Sequence, residues 1–106
     1  MRRILYLDDL RPCPWDNSIE KYYCVRSYSE FVEWIDENGM PDEFDLDHDL
    51  GDGGTGYDCI KYVIEKDTLD PVDRLPKLKV HSANPVGKEN IERLWKNYIR
   101  FRDRKN

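Results

Sequence analysis

The spacing of apolar and polar positions predicts four strands and three helices in one α/β unit over residues 1–106. Ile4-Leu5-Tyr6-Leu7 is a continuous apolar run that stops at Asp8-Asp9, the mark of a strand covered on both faces and hence central in its sheet. The stretch from Leu10 to about Lys21 holds Pro12, Pro14 and Asn17, so an irregular connection is expected where a crossover helix could have stood. Tyr22-Tyr23-Cys24-Val25 gives a second short strand. Ser27 followed by Glu30 is a capping box, and Tyr28, Phe31, Val32 and Ile35 fall on one helical stripe, predicting a helix from about Tyr28 to Asn38 that ends at Gly39.

Phe44 and Leu46 belong to a third strand, with Asp45 a polar intruder that the pattern does not explain. Gly51-Asp52-Gly53-Gly54 reads as a flexible loop. Thr55 can cap the next helix, with Asp58 in its first turn and Tyr57, Ile60, Val63 and Ile64 as its buried stripe. Lys77 to Ser82 alternates charged and apolar residues, as suits a half-covered edge strand. Asn84-Pro85 is a helix start, because Asn can cap and Pro tolerates the first helical position; Ile91, Leu94, Trp95, Tyr98 and Ile99 then keep helical period. With no helix after the first strand and no fifth strand, one sheet face would lie bare, and the last helix is expected to cover it.

Composition narrows the class. Thirteen aromatics and well-spaced aliphatics argue for a folded domain despite 37% charged residues. The net charge of -5 is uneven: residues 88–106 hold seven Lys and Arg against three Asp and Glu, so that tail is basic and the rest strongly acidic. No bulk DNA binding is expected of such a chain, although a basic helix beside an acidic pocket could steer a phosphate-bearing ligand. The three cysteines, Cys13, Cys24 and Cys59, show no CxxC spacing and give neither a disulfide framework nor a zinc site, so a reducing cytoplasm is the expected setting. The apolar run at the start is too short for a membrane span.

Parallel strands put their carboxyl ends on one edge of the sheet, where open α/β sheets bind ligands. Asp8-Asp9 ends the first strand, Asp47-His48-Asp49 the third and His81-Ser82 the fourth, so both histidines of the chain fall on this rim. Three carboxylates, Asp8, Asp9 and Asp47, can hold a hard cation such as Mg²⁺. The start of the last helix, with Asn84, Gly87 and Lys88 beside Ser82, could receive a phosphate, and Arg11 could clamp one or be an exposed turn residue.

Asp-Asp after the first strand, Asp47 after the third and Ser82 after the fourth resemble the response-regulator receiver domain, with Asp47 in the phosphoacceptor position. The chain departs from it in His48 and Asp49, in the missing fifth strand with its Lys, and in the missing first helix. The segments LDDLRP (Leu7 to Pro12), LDHDLG (Leu46 to Gly51), TGYD (Thr55 to Asp58) and HSANPVG (His81 to Gly87) resemble more closely the cyclic-phosphate-processing receiver family. That resemblance implies a receiver-like or flavodoxin-like three-layer fold with a reduced, four-stranded parallel sheet in order 2-1-3-4. It further implies a phosphoesterase acting on cyclic phosphates, such as RNA 2',3'-cyclic ends in repair, or on cyclic nucleotides. Asp8, Asp9 and Asp47 would lie around a metal or phosphate, with His48, Asp49, His81, Ser82 and Asn84 in the reaction centre. Two histidines could divide base and acid duties. A non-catalytic nucleotide- or protein-binding module and a phosphoacceptor receiver using Asp47 are the alternatives.

Overall fold

A computed structural model describes residues 1–50 and 54–105. The expected loop at Gly51-Asp52-Gly53 lies outside the described residues. The strands are β1 (Arg2–Leu7), β2 (Glu20–Val25), β3 (Glu43–Leu46) and β4 (Lys77–Val80); the helices are α1 (Tyr28–Asn38), α2 (Gly56–Leu69) and α3 (Pro85–Lys105). All strand pairs are parallel and the sheet order is β2-β1-β3-β4, which is the reduced receiver-like topology that the sequence predicts.

Helix boundaries follow from local chemistry. Ser27 Oγ accepts the Glu30 N–H at the start of α1, while Gly39 ends it at a φ of 79°, a conformation that glycine adopts without strain. Thr55 and Asp58 form a reciprocal capping box on α2. The two N-caps satisfy backbone donors, and the Gly39 N–H satisfies the Ile35 carbonyl, groups that would otherwise lack partners at the helix ends.

Register decides the two faces of the sheet. Leu5 pairs with Phe44 and Leu7 with Leu46, so these side chains share one face. They form a single core with Phe31 and Ile35 of α1, Cys59, Ile60 and Val63 of α2, and Ile91 and Trp95 of α3. The Phe44 ring touches both Phe31 and Trp95. All three helices therefore lie on the same face, and α3 does not cover the opposite one as expected. The reason is packing: the apolar stripe of α3, with Ile91 and Trp95, is satisfied by α2 and β4 on the face that already holds the core. Asp67, fully buried on α2, ties the two helices by accepting the Tyr98 hydroxyl at 2.5 Å and the Val72 N–H at 2.9 Å.

The opposite face carries Ile4, Tyr6, Tyr22, Cys24 and Asp45. The connection after β1 is fastened there by a disulfide between Cys13 and Cys24, with Cα atoms 5.9 Å apart. This corrects the expectation that the cysteines form no disulfide, and with it goes the sequence argument for a reducing compartment. Cys59 lies outside this disulfide, buried in the core. No described helix is long and apolar enough to cross a membrane.

Candidate active site at the carboxyl rim of the sheet

The site begins where β1, β3 and β4 end. Backbone hydrogen bonds carry the ladder just past each strand, from Asp47 N–H to Leu7 C=O and from His81 N–H to Leu46 C=O, both at 2.9 Å. These bonds bring Asp8, Asp47 and His81 to one edge. Carboxylate oxygens of Asp8, Asp9 and Asp47 lie within 4.8 Å of one another.

Asp8 is the most constrained of the three. It is 1% exposed, and its Oδ1 accepts the N–H groups of Leu10 and Arg11, both at 2.9 Å. Its Oδ2 receives the Arg11 guanidinium at 2.8 Å and His81 Nε2 at 3.0 Å. Burial alone would raise the Asp8 pKa, but the Arg11 and Leu10 N–H groups, the Arg11 guanidinium and His81 together hold it well below the ordinary carboxylate range. Arg11 also lies 3.9 Å from Asp47 Oδ2, so a single guanidinium serves as counter-charge to two strand ends. Arg26 fixes the turn from behind, donating to the backbone carbonyls of Asp8 at 2.9 Å and Arg11 at 2.5 Å.

The two histidines have different surroundings, and no hydrogen bond among the described residues joins them. His81 Nδ1 meets Asp45 Oδ1 at 2.5 Å, its ring stacks on Tyr6 with centroids 4.6 Å apart, and Nε2 meets Asp8. Burial would lower its pKa, yet Asp45 and Asp8 outweigh burial and raise it. His48 pairs through Nδ1 with Asp49 Oδ1 at 2.8 Å, and its ring is packed against Gly87.

Asp8, Asp9, Arg11, Asp47, Asp49 and Ser82 line a cleft of about 420 Å³, together with Leu10, Leu50 and Ala83. The remaining candidates serve other positions. Asn84 Oδ1 accepts the Gly87 N–H at 3.0 Å, and the Asn84 N–H donates to Ser82 Oγ at 3.1 Å, so the first turn of α3 is capped by its own residues. Gly87 is buried beneath His48, and Lys88 is exposed on α3. A larger groove, between β4 and α3, holds none of the candidate residues.

Asp45 and Arg26 are the residues that sequence reasoning did not place. Asp45 did leave a signal, as a charge between two buried strand positions; Arg26 left none, because its partners are backbone carbonyls brought close by folding.

The family model of the cyclic-phosphate processing receiver domain matches residues 3–97. The chain belongs to this family, and a role in cyclic-phosphate processing follows. Neither the comparison with curated proteins nor that with solved structures returned a match.

The donor set suits a hard divalent cation, since it consists of clustered carboxylate oxygens. The same cluster holds the Arg11 guanidinium, whose bond to Asp8 Oδ2 completes four hydrogen bonds to that carboxylate. A cation bound to Asp8 must therefore displace or share with Arg11.

Proposed function

We propose that this domain hydrolyses a cyclic phosphodiester in the cleft between the ends of β1, β3 and β4. The observation that carries this reading is the meeting, in one cleft, of the Arg11 guanidinium and clustered carboxylates, one of which, Asp49, holds His48 at the edge of that cleft. Opening such a ring adds water across one P–O bond: the water oxygen bonds to phosphorus, a base takes its proton, and the departing ribose oxygen receives a proton. The product is a phosphomonoester with a free hydroxyl.

Arg11 supplies a fixed positive charge for the phosphate oxygens. Asp49 holds Nδ1 of His48, which leaves Nε2 as the ring atom for proton transfer. His48 is the side chain to which we assign that step. His81 has both nitrogens engaged by carboxylates, so its work is to fix Asp8 rather than to meet substrate. Asp8, Asp9 and Asp47 would hold a divalent cation such as Mg²⁺, which when bound would neutralise charge on the phosphate. Ser82 lies on the cleft wall as a hydroxyl donor to substrate. The substrates that this geometry suits are small cyclic nucleotides and the cyclic-phosphate ends of RNA.

The test is incubation of the chain with 2',3'-cyclic mononucleotides and a cyclic-ended oligoribonucleotide, with and without Mg²⁺, followed by ³¹P NMR. Conversion to a monoester is expected, and His48→Ala should slow it about a hundredfold or more. Wild-type protein that leaves every ring intact defeats the hydrolase reading, and tight binding without product would identify a binding module instead.

A further inference from the structure

We propose that Asp45 is a positioning residue for the acidic cluster, acting through His81 to fix the Asp8 carboxylate at the cleft. It deepens the proposed function and rests on that reading for its catalytic consequence alone; the structural coupling stands on the geometry.

Asp45 occupies the middle of β3, between Phe44 and Leu46, both with no exposed surface, and is itself 7% exposed. A carboxylate buried this far is costly unless it is paired and hydrogen-bonded. Register places it beside Tyr6, on the sheet face away from the helices. That position lies under His81, whose Nδ1 it meets at 2.5 Å. A charge in the interior of a short strand is thus retained where an apolar residue would satisfy packing, and its hydrogen bond goes to the histidine that touches Asp8.

The imidazole has little freedom left. Tyr6 stacks on it with an interplanar angle of 5°, which fixes the plane of the ring, and Asp45 selects which edge points inward. With Nδ1 held, Nε2 projects to Asp8 Oδ2 at 3.0 Å. The other oxygen of Asp8 is bound by the Leu10 and Arg11 N–H groups, so His81 and Arg11 together set the rotation of the carboxylate. Removing Asp45 leaves the stack but frees the ring to turn over, and the Nε2 contact is then no longer specified. Outer partners of this kind orient a site although they never touch its ligand.

NMR of the ¹⁵N-histidine- and ¹³C-aspartate-labelled full chain, at one pH, tests the coupling. In the wild type, a far-downfield Nδ1–H resonance of His81 is expected, assigned through its loss in His81→Gln. Asp45→Ser, whose hydroxyl is too short to replace the carboxylate, should abolish that resonance and shift both the Nε2 and the Asp8 carboxyl signals. Asp45→Asn keeps size and an acceptor, so the same signals should move in the same direction by a smaller amount; this variant decides the matter if Asp45→Ser does not fold. Turnover of a cyclic nucleotide should fall tenfold to a hundredfold in Asp45→Ser and be largely restored in Asp45→Asn. Unchanged Asp8 carboxyl and Nε2 signals in the folded variants overturn the proposal. Absence of turnover in the wild type would remove the hydrolase reading, while the Asp8 signal would still decide the coupling.

Discussion

The ring of His48 rests directly on the Cα of Gly87: a Cβ built at Gly87 would fall 2.4 Å from His48 Cγ. The first turn of α3 is thereby a wall for a side chain that leaves β3, which explains why a glycine stands at a buried helical position where it costs about 1 kcal/mol relative to alanine. Gly87→Ala should displace His48 from Asp49 and reduce turnover nearly as far as His48→Ala does. Overpacking at this contact should destabilise the fold by about 1–3 kcal/mol. Kinetics and thermal unfolding of the two single variants and the double variant check this, since a shared mechanism makes their losses non-additive. Additive losses would show that Gly87 acts elsewhere.

A cation held by Asp8, as proposed, would compete with the Arg11 guanidinium for that carboxylate. Arg11→Ala should therefore bind Mg²⁺ or Mn²⁺ several-fold more tightly while its KM for a cyclic phosphate rises, because the substrate loses its guanidinium. Asp8→Asn should lose cation binding. Isothermal titration with the metal alone gives the first quantity. Weaker metal binding in Arg11→Ala would contradict the competition.

The Asp8–His81–Asp45 chain makes stability depend on pH at both ends. His81 has a folded pKa above its ordinary 6.5, so its contribution is complete below that value and is lost as pH rises through the folded pKa. Asp8 has a folded pKa below its ordinary 3.8, so its contribution is complete above that value and is lost as pH falls. Between pH 3.8 and 6.5 both are present. Thermal unfolding followed across pH should show His81→Gln flattening the alkaline decline relative to wild type. Parallel curves for the two proteins above pH 6.5 would refute the assignment.

The Cys13–Cys24 bond closes a short loop, with a sequence separation of 11, and anchors the segment that follows Arg11. Reduction, or Cys13→Ser with Cys24→Ser, should lower stability by about 2–3 kcal/mol and the Tm by roughly 10 °C. Differential scanning calorimetry with and without dithiothreitol measures it. A Tm that reduction does not change would place the bond outside the folding energetics.

Period, capping and the strand-ending acidic residues suffice for every element of this chain, because hydrophobic spacing and helix caps are local properties. The order of the strands came from the resemblance of the four motif segments to the receiver-like family, since the local pattern predicts a parallel sheet without ranking the arrangements open to it. The gathering of Asp8, Asp9 and Asp47 was legible because the carboxyl ends of parallel strands must share an edge. Only the tertiary structure decided on which face α3 packs, that Cys13 reaches Cys24, and how the rim residues divide their work. Side-chain partners depend on contacts between residues far apart in the chain, such as Asp45 with His81 or Gly87 with His48, and no local pattern encodes those. Asp45 shows the boundary most clearly. As sequence it is a charge out of place in a strand, and as structure it is the buried partner that aims His81 at Asp8.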